Sequence, residues 1–248
     1  MQEPEVSRAV KSMVQIHVER WGFWSPESND PGLWLKHWRQ PGAEREEGDP
    51  DVKIIPAAHR RRSSRLTKIA LSAALGVVGS ESADYSIFCS QHGEIVRTRD
   101  ILSCISNGRE ISPAAFSQSV HNTSSGLFTI IAATNAPSIS MASGANSFAY
   151  GWMEAQVYLT CNPTHTILLV DFDEVIPDEY QHYEGVVACD RSLALLLRVA
   201  DKGGIVMKSA ALETEARLPQ GPQFLAWLQS DSDSLQLSSD RQGWQWQR

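Results

Sequence analysis

Residues 135–155, NAPSISMASGANSFAYGWMEA, place a Pro-Ser-Ile-Ser segment before a small-residue turn and a helix-like run. A strand, a tight elbow and a helix N-terminus in that order make a seat for a nucleophile. The elbow projects one side chain, and the helix end favours negative charge beside it. Here the elbow carries Gly144, Ala145 and Asn146, so its apex offers only a methyl group. Ser143 and Ser147 flank the apex, and with His121 either could form a Ser-His pair for acyl transfer or hydrolysis. No G-x-S-x-G is present, and a buried, hydrogen-bonded side chain is the other reading of His121.

The chain has seven histidines: His17, His37, His59, His92, His121, His165 and His182. No two stand at i, i+4 and no cysteine lies beside them, so no metal is expected. There is no Walker loop and no G-x-G-x-x-G, so no nucleotide cofactor is expected either. DFDE, residues 171–174, ends an apolar run. It could hold magnesium, but a solvated strand end is the simpler expectation. RRRSSR, residues 60–65, is the one strong basic run. It reads either as the solvated first turn of a helix or as a docking site for an acidic partner, because arginine there opposes the helix dipole.

Positioning these residues requires several elements. Residues 13–19 read as a strand entering an aromatic cluster. Residues 25–51, rich in Pro, Gly, Trp and charge, read as an ordered loop insertion that Trp34 and Trp38 could pin to a surface. Leu66, Ile69, Ala70, Ala73 and Ala74 recur at helical spacing, predicting an amphipathic helix ending near Gly76 or Gly79. DYSIFCSQ predicts a buried parallel strand. EIVRTRDILSCISNG predicts a helix closed by Asn107-Gly108. Residues 111–135 predict two helical pieces meeting near Asn122. A strand over 138–142 and a helix from 147 to about 159 bracket the elbow. THTILLVDFDE and YEGVVACDRSLALLLRVAD supply the closing strands. From about residue 229 the chain is polar, with a terminal Trp pair, and is expected to be a tail. Strands that alternate with helices predict one α/β domain over residues 1–248, with a mostly parallel sheet and helices on both faces.

The 248 residues carry a net charge of -7, which argues against wholesale nucleic-acid binding. No apolar run is long enough to span a bilayer. The N-terminal MQEPEVSRAVKSM lacks an apolar signal core, so a cytoplasmic location is expected. The four cysteines, Cys89, Cys104, Cys161 and Cys189, form no C-x-x-C and are expected to be reduced core residues.

ISPAAFSQSVHNTSSGLFTIIAATNAPSISMASGANSFAYGWMEA resembles the nucleophile region of the β-ketoacyl-acyl carrier protein synthases, which have a thiolase-like fold. In that family a Gly-Pro-Ser-Ile-Ser strand runs into Thr-Ala-Cys-(Ser/Thr)-Ser-Gly. Pro137, Ser138, Ile139 and Ser140 match the strand, Ser143 and Gly144 take the Thr-Ala places, Ala145 takes the cysteine's place and Ser147 matches the serine that follows. RRRSSRLTKIALSAA resembles the family's early helix, and ILLVDFDE its later strand. The resemblance runs from about Met13 to Leu195.

Two departures shape what the resemblance implies. The nucleophilic cysteine is absent. The family's two catalytic histidines lie in Gly-Thr and Gly-His contexts in its C-terminal half, and this chain has neither dipeptide. The implied protein is therefore the N-terminal half of a ketosynthase, resembling the short chain length factors of aryl polyene pathways. Such a subunit would form a heterodimer with a full-length ketosynthase that condenses substrates on acyl carrier protein. By the same resemblance, Ala115, Phe116, Ser119, His121, Asn122, Asn146 and Phe148 are expected at the pocket and partner interface, and Arg60, Arg61 and Arg62 at a carrier-protein docking surface.

Overall fold

The structure is a computed structural model and describes residues 13–183, 187, 189–211, 218–239 and 242–248. In chain order the elements are β1 (Ile16–Trp24), α1 (Pro31–Trp38), α2 (Ala57–Arg60), α3 (Arg65–Val78), β2 (Tyr85–Cys89), α4 (Ile95–Ser106), α5 (Pro113–Ser117), α6 (Thr123–Ile131), β3 (Ser138–Met141), α7 (Ser147–Cys161) and β4 (Ile167–Asp173). A 3-10 turn (Asp178–Tyr183) follows, then β5 (Arg191–Val199), β6 (Val206–Ala210), α8 (Gln220–Leu228), β7 (Ser234–Ser239) and β8 (Gln242–Gln247).

The central sheet has the order β1-β5-β4-β2-β3. β2 pairs parallel with both β3 and β4, while β5 runs antiparallel to β4 and to β1. Four strands therefore share one direction and only β5 is reversed. β2 and β4 are buried along their whole length, as apolar runs covered on both faces must be. On one face, Leu66, Ile69, Ala70 and Ala74 of α3 and Phe128 of α6 pack on Leu168, Val170, Phe172, Ala194 and Leu196. On the other, Phe148, Trp152 and Leu159 of α7 and Phe224 of α8 pack on Ile87, Leu169, Leu195 and Leu197. Burying each Leu, Ile, Val or Phe among them contributes about 1.5–3 kcal/mol, so both helix layers are held firmly.

The structure redraws three expectations. β1 extends to Trp24, through the aromatic cluster, because β5 supplies a backbone partner along that length. The 25–51 segment contains α1, whose N-terminus is capped by Asp30 Oδ1 accepting from the Leu33 amide at 2.8 Å. Trp34 there is fully buried and meets Phe23 edge-on. The polar tail is not a tail. β7 and β8 pair antiparallel, and β6 joins them on the other side of β8. Along β8, Trp244 and Trp246 point inward, and Trp246 meets Phe148 and Phe224. The alternation in QGWQWQ is a period-two strand pattern that the surrounding serines, aspartates and glutamines conceal.

Of the cysteines, Cys89 and Cys189 are core residues, whereas Cys161 is exposed and Cys104 half-buried; all four are free thiols.

Candidate functional site

β3, β2 and β4 are parallel neighbours, so the loops leaving their C-terminal ends share one end of the sheet. The elbow follows β3, residues 90–94 follow β2, and Asp173 ends β4 with Glu174 just beyond it.

The elbow keeps the geometry of a nucleophile seat. Gly144 has φ +57°, the left-handed conformation that glycine adopts at little cost. The Asn146 amide donates to the Ser143 carbonyl at 3.1 Å, and the Ser147 amide to that of Gly144 at 3.2 Å. α7 begins at Ser147, and Ala145 sits half-buried where a nucleophile would project. Ser147 is spent on the turn: its Oγ donates to the Gly144 carbonyl at 2.8 Å and accepts from the Ser143 amide at 2.9 Å. His121 Nε2 donates to the Ser90 carbonyl at 2.9 Å. Among the described residues no hydrogen bond joins His121 to Ser143 or Ser147, so the Ser-His pair is not assembled. His121 is hydrogen-bonded but only half-buried.

Asn146 and Phe148 face inward, 4% and 2% exposed. Asn146 Oδ1 accepts from Gln220 Nε2 at 3.0 Å, Ser239 Oγ at 3.1 Å and Trp244 Nε1 at 2.9 Å, while its Nδ2 donates to the Ser239 carbonyl at 3.0 Å. It ties the elbow to α8 and the C-terminal strands. Phe148 is 2% exposed, within the aromatic core. Both inward placements depend on C-terminal strands that the sequence disguises.

The other expected residues divide by place. Phe116 is 64% exposed. Asn122 is exposed at the start of α6, while Ser119 and His121 are half-buried. Ala115 lines a cavity of about 580 Å³ between α4 and α5, with Val96, Ile101, Cys104 and Ile111. Arg62 lines the same cavity, bringing together two residues that sequence reasoning had kept apart.

The basic run is not the first turn of α3. Arg60 ends α2, Arg61 and Arg62 are exposed in the turn after it, and Ser64 caps α3 by accepting from the Thr67 amide at 2.9 Å. Only Arg65 lies inside α3, and Asp190, 3.0 Å away, offsets its charge at the positive end of the helix.

The largest departure is DFDE, which is not a solvated strand end. Asp171 and Asp173 are buried, and Arg191 of β5 reaches between them. Arg191 Nη2 lies 2.7 Å from Asp173 Oδ2, and its Nε lies 3.8 Å from Asp171 Oδ2. Burial pushes the Asp171 carboxyl up to about 7, against the pull of Arg191. Burial, reinforced by Glu94 and Asp190, pushes Glu174 up to about 8. Among the described residues no group of three or more His, Cys, Asp or Glu side chains could hold a metal ion. The arginine occupies the centre of the cluster instead. A run of alternating acids carries a legible signal, but its partner arrives from another strand. No described helix is long and apolar enough to cross a membrane.

Comparison with known proteins places this geometry. A family model described as the N-terminal domain of β-ketoacyl synthase matches residues 34–247. That match reaches well past Leu195, where the visible sequence resemblance stops. Among solved structures, a chain from a ketosynthase in complex with its chain length factor from Xenorhabdus doucetiae superposes with a TM-score of 0.81 at 28% identity, covering 95% of this chain and 100% of that one. The ishigamide ketosynthase/chain length factor gives 0.59 at 15% identity, covering 79% and 67%. A complex of a type II acyl-carrier protein with its ketosynthase bound to the hexaketide gives 0.61 at 10%, covering 95% and 99%. These last two likenesses bear on the fold alone. No curated protein sequence matches the chain. The chain has the thiolase-like fold of the ketosynthases and belongs to the β-ketoacyl synthase family, through that family's N-terminal domain.

Proposed function

We propose that this chain is a non-catalytic chain length factor. It pairs with a full-length β-ketoacyl-acyl carrier protein synthase and shapes that enzyme's acyl pocket during polyene, polyketide or fatty-acid-type chain elongation. The observation that carries this reading is Ala145 at the apex of an otherwise intact elbow. Decarboxylative condensation by a ketosynthase begins when a thiolate attacks an acyl thioester, and a methyl group has no lone pair with which to do so. The buried thiols are poor substitutes. Burial holds Cys89 well above its ordinary pKa and pushes Cys189 up to about 12.

Pairing is supported by three observations. The Xenorhabdus chain is matched over its whole length by 95% of this one, so the two are of similar size, and it comes from a ketosynthase–chain length factor complex. β3 is an edge strand whose outer side has no strand partner among the described residues. Phe116 presents an exposed aromatic side chain on α5. In this reading α5 and the residues just after it supply the far wall of the pocket through Ala115, Phe116 and Ser119, beside His121 and Asn122. Arg60, Arg61 and Arg62 meet the acidic carrier protein.

Native mass spectrometry of the protein from its own host, with an activity assay on whatever co-purifies, tests the pairing. A one-to-one complex with a ketosynthase, active on malonyl-carrier protein, is expected. A monomer or homodimer bearing an acyl adduct would overturn the reading and redirect attention to Ser143, Ser147 and His121. Within the complex, Ala115→Trp is expected to shorten the products; unchanged length in an assembled mutant removes α5 from the wall.

A further inference from the structure

A continuous chain of hydrogen bonds crosses the C-terminal end of the sheet, from β5 to the segment between α5 and α6. It begins at Arg191, which donates through Nη2 to Asp173 Oδ2 at 2.7 Å. The same carboxylate accepts from Ser90 Oγ at 2.7 Å, from the Gln91 amide at 3.0 Å and from the His92 amide at 3.5 Å. Ser90 Oγ accepts in turn from the Gly93 amide at 2.8 Å. The loop after β2 is thus wrapped around one buried carboxylate. The two oxygens of a carboxyl group offer enough acceptor sites to receive all of these groups.

The far side of that loop meets His121, in the segment between α5 and α6. The Ser90 carbonyl accepts from His121 Nε2 at 2.9 Å. Gly93 has φ +56°, and a Cβ there would come within 2.7 Å of the His121 ring, so the imidazole lies directly against the loop backbone. One turn further on, in α4, Arg97 Nη1 donates to Gln118 Oε1 at 2.9 Å. The segment carrying Ala115, Phe116 and Ser119 thus meets α4 through Gln118 and, through His121, the loop whose anchor is Asp173.

We infer that Asp173, oriented by Arg191, is a positioning residue for the wall of the acyl pocket: it fixes the loop at 90–93 and, through His121, the placement of α5. The inference rests on the reading of α5 as that wall. Asp173 touches no substrate in this account and acts only through the loop. Asp171 provides an internal contrast. It shares Arg191 but forms no hydrogen bond to the loop, and its Oδ2 accepts none among the described residues.

The test compares Asp173→Asn and Ser90→Ala with Asp171→Asn, each in the full chain assembled with its ketosynthase. Ser90→Ala leaves the Arg191–Asp173 pair intact, so it keeps the idea testable if Asp173→Asn fails to fold. Two quantities are read: hydrogen exchange of the His121 ring N–H by NMR, and the product length distribution alongside kcat. In Asp173→Asn and Ser90→Ala, exchange at His121 is expected to quicken by roughly five- to tenfold, the effect of losing one or two hydrogen bonds. Mean product length is expected to shift while kcat stays within about twofold. Asp171→Asn should change neither. An unaltered His121 signal in both loop variants overturns the inference. A changed His121 signal with unchanged product length keeps Asp173 as the loop's anchor and overturns α5 as the pocket wall, which separates the failure of one reading from that of the other.

Discussion

The elbow after β3 and the acidic end of β4 lie at the same end of one sheet, separated only by β2. They have diverged in opposite ways. The elbow retains the backbone of a nucleophile seat, with its left-handed glycine and its helix start, and lacks the reactive atom. The end of β4 holds reactive-looking atoms in plenty, two buried carboxylates and a guanidinium, and directs them into the scaffold. At one site the backbone geometry stands without a nucleophilic side chain, and at the other charged groups are paired within the scaffold. Functional groups at this end of the sheet are identified by what they touch, not by their type.

The strongest way to break the contrast is Arg191→Met. It leaves Asp173 and Asp171 buried without their cation, and removing one partner of a buried pair typically costs about 3–5 kcal/mol. Urea denaturation measures this. A loss no larger than that of an exposed ion pair would show that the acidic end is not structural. Asn146→Ala strikes the elbow's own anchor. It strands Trp244 Nε1, takes one partner each from Gln220 and Ser239, and is expected to cost about 2–4 kcal/mol.

The acidic end should also titrate. Asp171 and Glu174 have folded-state pKa values raised to about 7 and about 8. The folded protein therefore holds protons that the unfolded chain releases near pH 4. Their stabilising contribution is complete below that point and is lost as pH rises through 7 to 8. Thermal melts should accordingly decline between pH 5 and 8. Asp171→Asn should flatten that decline, by on the order of 2 kcal/mol at pH 8; an unflattened profile would count against a protonated Asp171.

The smallest effect is expected at Ala145. Ala145→Ser should alter stability by less than about 1 kcal/mol at this half-buried site. It should leave the isolated chain without condensing activity, because Ser147 Oγ and His121 are already committed elsewhere. Turnover by the isolated mutant would close the gap between the two regions.

Much of this molecule is legible in its residues alone. The apolar runs of β2 and β4, the helical spacing in α3 and the small-residue elbow each follow from local pattern, because burial on both faces, helical period and left-handed turns leave local marks. So does the missing thiol, since a residue's type is a local fact. What only the tertiary structure decided is pairing across long separations. DFDE looks solvated until Arg191 comes over from β5. The final serines and glutamines look like a tail until β8 closes between β6 and β7 and buries Trp244 and Trp246 beneath them. Asn146 has no evident partner in the sequence until Gln220, Ser239 and Trp244 converge on it. In each case the residue's environment is supplied by chain far away in sequence, and burial, ionisation and hydrogen bonding are properties of that environment rather than of the residue.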